Sequence, residues 1–242
     1  MTDLITDPIQ TRRALLTWQR PLEQPGSRDR FAVAELAQCE EGVAFSYLDE
    51  ARLAPALETG FGGYPGLALG DAHEAYIALD VLARRLPPRD RPDFHDFMET
   101  FGLSPQADFS DLSLLAYTGA RLTGDSFGVT ETFEGFDRPF RYVFDISGYR
   151  HYRDGAPDIS IDEPVVFQHD PTNEYDPHAV AVTRKSGVRL GYINRLQAQT
   201  VSEWLNSGSV DARVFRVNGR SAYPRLFVMA DIEPVLQGVH AT

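Results

Sequence analysis

The sequence predicts an α+β protein with a small α+β domain over residues 1–137 and a small β-barrel domain, with one or two helices, over residues 138–242. Up to about residue 133, strand-like runs are followed by helical patterns, and after EGFDRP at 134–139 the pattern becomes mostly short strands. The composition, 43% hydrophobic and 24% charged, is ordinary for a folded protein, and the length allows either one large core or two small ones.

The first domain is predicted to begin with strands and to continue with helices. A turn, PGSRD at 25–29, separates the first two strands, and the glycine-rich stretch 59–66 reads as loop. A helix at about 72–86 carries Tyr76, Leu79, Leu82 and Leu86 at helical spacing, and Pro87-Pro88 ends it. The remaining elements are strands at 12–19, 30–37, 42–48 and 125–133, and helices at 92–101 and 110–117, the last with Ser110 or Asp108 as N-cap.

The second domain is predicted to be almost entirely β. One helix fits residues 196–206, where apolar side chains share a face. Several short strands with a single helix favour a small barrel of the OB-like type. The predicted strands are 140–149, 163–168, 179–184, 188–193, 211–217 and 225–231.

Charge is distributed unevenly along the chain. The formal net charge is -12, which argues against general nucleic-acid binding, because neutralising phosphates is the main source of that affinity. Residues 141–242 carry 11 basic and 12 acidic residues, whereas the rest carries 12 basic and 23 acidic ones. Any contact with DNA is therefore expected in the C-terminal part, and the acidic N-terminal part could contact a protein partner.

Several classes of protein and site are not expected. Neither an apolar run that could cross a membrane nor a signal-peptide core is present, and the single cysteine, Cys39, allows no internal disulfide, so a cytoplasmic protein is expected. No catalytic, phosphate-cradling or cofactor-binding pattern stands out, so we expect neither enzymatic activity nor a cofactor. His169 and His178 with Asp170 and Asp176 could in principle form a metal cluster, which is the less favoured interpretation of these residues.

One run of sequence carries a specific motif. It consists of HDPTNEYDPHAVAV at 169–182 and VRLGYINRLQA at 188–198, and it resembles the signature of the HIRAN domain family over about 100 residues. Upstream, GYRHY at 148–152 stands where that family carries an Arg-aromatic pair, and we expect it on the first strand of the barrel. The matching positions of the two runs are Asp170, Pro171, Asn173, Tyr175, Asp176, Ala179, Val180, Val182, Gly191, Tyr192, Ile193 and Ala198.

The resemblance implies an OB-like pocket that binds single-stranded DNA and holds a free 3′ end. In that interpretation Tyr175 stacks on the terminal base and Asp176 accepts a hydrogen bond from the terminal hydroxyl. Arg150 binds phosphate and Tyr192 closes the pocket. The implied DNA-binding set is Arg150, His151, Tyr152, His169, Asn173, Tyr175, Asp176 and Tyr192, with no catalytic or metal-binding residue.

A structural interpretation of the same run stays open. Asp-Pro-x-Asn is turn chemistry, in which side chains bond the nearby backbone, so Asp170 and Asn173 could be purely structural. Two departures from the family bear on affinity. His169 stands where arginine is frequent and is neutral near pH 7 unless its pKa is raised, and His151 stands where a tyrosine is found elsewhere.

The N-terminal part more loosely resembles the N-terminal subdomain of HipA-type proteins. The resemblance rests on AFSYL at 44–48, GGYPGLAL at 62–69, LARRLPPRDR at 82–91 and LLAYTGARLTGDSFGV at 114–129. It implies a toxin–antitoxin or defence context. A regulatory, protein-binding component that keeps the barrel as scaffold is therefore the alternative to a DNA-end reader. A nuclease is the least favoured function, because no nucleophile or metal constellation is present.

Overall fold

A computed structural model describes residues 4–21, 29–122, 125–155, 158–220 and 223–234. The chain divides into two compact units. The N-terminal unit comprises Gln10–Phe97 and Asp108–Gly135. The C-terminal unit comprises Phe136–Thr242 together with Met1–Ile9 and Met98–Ala107. The boundary between the two units therefore lies close to the EGFDRP stretch. Two segments that precede this stretch in sequence nevertheless belong to the C-terminal unit.

The N-terminal unit is built on a four-stranded antiparallel sheet in the order β3-β2-β1-β4. Leu16, Leu36 and Leu112 are fully buried in its core, and Trp18 is buried there too. The strands are β1 (Arg13–Gln19), β2 (Arg30–Cys39), β3 (Gly42–Tyr47) and β4 (Phe127–Glu131). The helices are α1 (Glu50–Glu58), α2 (Ala75–Ala83), α3 (Phe94–Thr100) and α4 (Asp111–Thr118), of which α3 contributes residues to both units.

Local chemistry explains where several of these elements begin and end. Ser110 caps α4 by accepting a hydrogen bond from the backbone N–H of Ser113 at 3.1 Å, and Gly119 ends the helix with a left-handed φ of 70°. The sequence did not predict α1, because Pro55 lies inside it. Tyr76 is 59% exposed, so its assignment to the apolar stripe of α2 was wrong. Most of the predicted PGSRD turn lies outside the described residues.

The C-terminal unit is a curled six-stranded antiparallel sheet in the order β5-β10-β9-β6-β7-β8, a half-barrel compatible with the predicted OB-like fold. Its strands are β5 (Phe140–Asp145), β6 (Pro164–His169), β7 (Val180–Arg184), β8 (Arg189–Tyr192), β9 (Ser209–Arg220) and β10 (Tyr223–Glu233). Helix α5 (Tyr149–Tyr152) leads into a 3-10 turn, Arg153–Gly155, and helix α6 is Arg195–Ser207. The predicted α+β class with a small β-rich C-terminal domain is thus confirmed in coarse form.

The two edge strands of this sheet meet at one point. Ser147, just after β5, exchanges backbone hydrogen bonds of 2.8 and 2.9 Å with Tyr192 on β8. A Cβ on the neighbouring Gly191 would lie 2.4 Å from the carbonyl oxygen of Ser147, and its φ of 150° is one that side-chain-bearing residues rarely adopt. Glycine at this position therefore lets the two edges approach each other and curl the sheet.

Residues 98–107 complete the C-terminal unit. Ile5 donates a backbone hydrogen bond to Gly102 at 2.8 Å and accepts one from Ser104 at 2.9 Å, and Leu103 between them is fully buried. A Cβ on Gly102 would lie 2.9 Å from Val143 and 3.1 Å from Met229, so the segment lies directly on the face of β5 and β10. The half-barrel of this chain is therefore not formed by residues 136–242 alone.

Candidate nucleic-acid interface

The loop between β6 and β7, residues 170–179, is held by its own polar side chains. The carboxamide oxygen of Asn173 accepts hydrogen bonds from the backbone N–H groups of Tyr175 and Asp176, at 2.9 and 3.1 Å. The backbone N–H of Asp170 donates to Ala179 at 2.8 Å and closes the base of the loop. Asn173 therefore acts through turn chemistry, which is the structural role left open from the sequence.

This ordered loop exposes a large aromatic ring. Tyr175 is 83% exposed, while its backbone is fixed by Asn173. An exposed tyrosine on a fixed backbone offers a flat apolar face that loses little conformational entropy when it stacks on a ligand. The stacking role that the HIRAN resemblance implies for Tyr175 stays a prediction.

The two carboxylate oxygens of Asp176 differ in their hydrogen-bond partners. Oδ1 accepts a hydrogen bond from the backbone N–H of His178 at 2.9 Å and so contributes to the loop. Oδ2 has no hydrogen-bond partner among the residues that the structure describes, and the side chain is half-buried. One oxygen thus orients the carboxylate and the other can accept a hydrogen bond from a ligand.

Asp170 anchors the loop to β8 through a charged cluster. Its Oδ2 accepts a hydrogen bond from the hydroxyl of Tyr192 at 3.0 Å and lies 3.2 Å from Nη2 of Arg189, and only 11% of the side chain is exposed. Hydrogen bonds from Thr172 and Tyr192, with the charge of Arg189, hold the pKa of Asp170 below its usual value. Burial and the bond to Asp170 raise the pKa of Tyr192. Asp170 therefore stays ionised and is occupied structurally.

Tyr192 is fixed from both ends. Arg189 donates to its hydroxyl, and the guanidinium carbon of Arg189 lies 5.0 Å from the centroid of its ring. On the other side the ring of Tyr152 approaches it with a centroid distance of 6.2 Å and an interplanar angle of 62°. Tyr152 and Tyr192 thus form an aromatic pair, and Asp170 connects that pair to the base of the loop that carries Tyr175.

The Arg-aromatic segment does not lie on a strand, and that prediction was wrong. Strand β5 ends at Asp145, and Gly148 turns the chain with a φ of 77° into α5, where Tyr149 is buried against the unit. Arg150 and His151 are exposed on this helix, and Nε of Arg150 donates to Nε2 of His151 at 3.0 Å. The same short helix also carries Tyr152, two residues after Arg150.

His169 ends β6 at the start of the loop. Its Nε2 lies 2.9 Å from the carbonyl oxygen of Pro177, so the ring bridges the two ends of the loop while remaining exposed. This contact gives His169 a structural role at the position where the HIRAN family frequently has arginine.

Sequence reasoning missed Arg189. Its contacts with Asp170 and Tyr192 join β8 to the loop before β7, and they depend on the pairing of β7 with β8. The signal in the sequence was weak, since a single arginine in VRLGYI is also what a solvated strand face would carry.

Other features lie away from this surface or point to no chemistry. An open cleft of about 330 Å³ is lined by residues 4–7, 139–141 and 231–233, at the other end of β5 and β10. Within the described ranges, no three His, Cys, Asp or Glu side chains are placed to hold a metal ion. No helix in the part of the chain that the structure covers is long and apolar enough to cross a membrane.

Comparison with known proteins finds similarity in the C-terminal part of the chain. Residues 139–233 match the family model of the HIRAN domain. The crystal structure of the HIRAN domain of human HLTF aligns with a TM-score of 0.32 and 20% identity, over 38% of this chain and 74% of that one. A Lactobacillus plantarum protein aligns with the same TM-score and identity, over 39% of this chain and 98% of that one. The curated proteins contain no match to this chain.

Proposed function

Taking residues 139–233 as a HIRAN domain, we propose that this protein binds single-stranded DNA as a non-enzymatic module and holds a free 3′ end. The exposed ring of Tyr175 on a loop fixed by Asn173 is the observation that carries the proposal. Every base presents a flat face, so stacking on such a ring binds single strands without strong sequence preference.

Side chains linked to the base of this loop support contact with a strand rather than with a single small molecule. The Tyr152–Tyr192 pair offers further aromatic surface, and Arg150 on the same helix as Tyr152 offers a positive charge for phosphate. Residues 141–242 are close to electrical balance, with 11 basic and 12 acidic residues, so binding depends on local placement of arginines. We expect moderate affinity that weakens as salt is added.

Recognition of the 3′ end is assigned to Asp176. A carboxylate oxygen without a protein partner accepts a hydrogen bond from a free hydroxyl, whereas a terminal phosphate at the same place brings negative charge against negative charge. The backbone N–H of His178 holds the other oxygen at 2.9 Å, which fixes the direction of the carboxylate. Discrimination against a 3′ phosphate follows from this repulsion.

The binding claim is tested by fluorescence anisotropy of the full chain with a short 5′-labelled oligothymidine. We expect Tyr175→Ala to weaken binding by about fivefold to about 150-fold, the range that corresponds to the loss of one stacked base. Tyr76→Ala is the matched control, since Tyr76 is also an exposed tyrosine, at 59%, but lies on α2 of the other unit. Equal affinities for the two variants would reject the assignment of this loop.

The end-recognition claim needs a second comparison with the same label. Oligothymidines that end in a 3′ hydroxyl or in a 3′ phosphate are titrated against the wild-type chain and Asp176→Asn. The wild type is expected to prefer the hydroxyl, and the variant to lose most of that preference, since an amide lacks the repelling charge. Equal binding of both ends by the wild type would refute end recognition while leaving single-strand binding in place.

A further inference from the structure

Arg216 on β9 has an unusual environment for a charged side chain. Its Nε is buried, and among the residues that the structure describes it has neither a hydrogen-bond partner nor a carboxylate within ion-pair distance. The residue as a whole is half-buried, so its charge reaches the surface through the terminal nitrogens. Leaving a buried donor unpaired costs free energy, and such a group calls for an explanation.

The other sheet arginines whose side chains are described are paired with carboxylates. Arg141 and Arg213 contact Asp231, and Arg225 contacts Asp145 at 2.9 Å. The same holds for Arg184 with Glu163 and for Arg189 with Asp170. Within the described part of the sheet, the charge of Arg216 is thus the one that no acidic side chain balances.

A second arginine reinforces the charge of Arg216. The guanidinium carbons of Arg216 and Arg225 lie 4.9 and 4.8 Å from the centroid of the Phe227 ring. Burial and the charge of Arg225 lower the pKa of Arg216 from its usual value. Asn218, across from Arg225, has a buried side-chain oxygen without a partner. Stacking on Phe227 therefore keeps two like charges together where they repel each other.

Strand register connects this cluster to the candidate interface. Ser147 pairs with Tyr192 on one side. On the other side, the β5–β10 register continues past Asp145 through the 2.9 Å hydrogen bond from the N–H of Ile146 to the carbonyl oxygen of Leu226, and this places Ser147 opposite Arg225. Directly opposed residues point to the same face of a sheet, and neighbouring strands lie about 4.8 Å apart. The Cα atoms of Tyr192 and Arg225 are therefore roughly 10 Å apart on one face of the sheet.

We infer that Arg216, together with Arg225 over Phe227, forms a second phosphate-binding site that contacts the backbone of the bound single strand away from its 3′ end. The inference rests on the proposed function and extends it. A guanidinium with free terminal nitrogens is the group that binds phosphate best, and it is continuous with the aromatic surface around Tyr192. An acidic protein segment would use the charge but not the aromatic rings beside it.

The test is the salt dependence of oligothymidine binding by the full chain. Each phosphate contact contributes about 0.7 to the slope of log K against log salt for single strands, and loss of a charged hydrogen bond weakens binding roughly tenfold at low salt. Arg216→Gln is expected to show both losses, and Arg216→Lys to retain the slope. Arg213→Gln is the matched control on the same strand, because Arg213 is already paired with Asp231. Urea unfolding verifies that each variant is folded.

The possible outcomes separate the two proposals. If the wild type binds and the slope of Arg216→Gln equals that of the wild type, this inference is overturned while the proposed function stands. If the wild type binds no single-stranded DNA, both fail. If polyglutamate of matched charge competes as well as unlabelled oligothymidine, the site belongs to acidic protein segments, and the nucleic-acid assignment is overturned.

Discussion

Replacing Gly191 with alanine should separate the two edges of the half-barrel. The new Cβ would lie 2.4 Å from the carbonyl oxygen of Ser147 and 2.7 Å from a methyl group of Ile146. Neither partner is the far end of a flexible side chain, so the backbone of β8 has to move. The movement breaks the two hydrogen bonds between Ser147 and Tyr192 and displaces Tyr192 from Tyr152.

The magnitude follows from three contributions. Forcing alanine to a φ of 150° costs about 1–3 kcal/mol, and each of the two backbone hydrogen bonds contributes about 1 kcal/mol net. Together they predict a loss of about 4 kcal/mol in the free energy of unfolding, which is a large part of the total for a typical domain. Because Tyr192 is displaced, we also expect weaker binding of single-stranded DNA.

Gly187 provides the matched control in the same hairpin. Its φ of 87° is also left-handed, but a Cβ there meets nothing within 4 Å, so Gly187→Ala should cost only about 1–2 kcal/mol. Urea unfolding of the full chain gives both values from the transition midpoints. The reasoning is refuted if the two variants lose the same stability, since that would mean the closeness of Gly191 to Ser147 has no energetic consequence.

Three further changes test other parts of the structure. Burial raises the pKa of Glu131 to about 7, although Thr11 and two backbone N–H groups donate hydrogen bonds to its carboxylate. A carboxyl group with a raised pKa stabilises the folded state fully below its ordinary pKa of 4.5. That contribution is lost as the pH rises through about 7. Urea unfolding from about pH 5 to about pH 8 should show a fall of about 2.5 kcal/mol that Glu131→Gln removes, and an equal fall in the variant would contradict this origin. Leu103→Ala should lower the free energy of unfolding by about 2–5 kcal/mol in thermal or urea unfolding, because Leu103 is fully buried in the C-terminal unit. A loss as small as that of an exposed residue would contradict this burial. Asn173→Ala should cost about 1–2 kcal/mol by losing two hydrogen bonds and should weaken DNA binding in the anisotropy assay; unchanged binding would mean that Tyr175 needs no fixed loop.

The strands of the C-terminal unit were predictable because their patterns are local. In β6 the burial alternates from Val165 to Phe167 as the side chains alternate between faces, and β7 is a run of buried β-branched residues and alanine. The apolar face over 196–206 predicted the start of α6 to within one residue, and in the structure Asn194 caps the helix by accepting a hydrogen bond from the N–H of Leu196. The loop with Tyr175 and Asp176 was located by its turn chemistry and by the family motif together.

Elements that depend on distant parts of the chain were not predictable. Aromatic residues favour strands, so GYRHY read as a continuation of β5, and only Gly148 marked the turn into α5. No local pattern indicated that residues 98–107 lie on the sheet of the C-terminal unit, because that contact is between segments far apart in sequence. The same holds for the contact of Arg189 with Asp170, which requires the folded sheet.

Photo-crosslinking of a bound strand tests the central claim most directly. An oligothymidine with 5-iodouracil at its 3′ end is irradiated with the full chain, and the adduct is located by mass spectrometry after trypsin digestion. We expect the adduct at Tyr175, in the peptide between Arg153 and Arg184, and its loss in Tyr175→Ala. Adducts found mainly within residues 10–97 would place the DNA on the other unit and contradict the account.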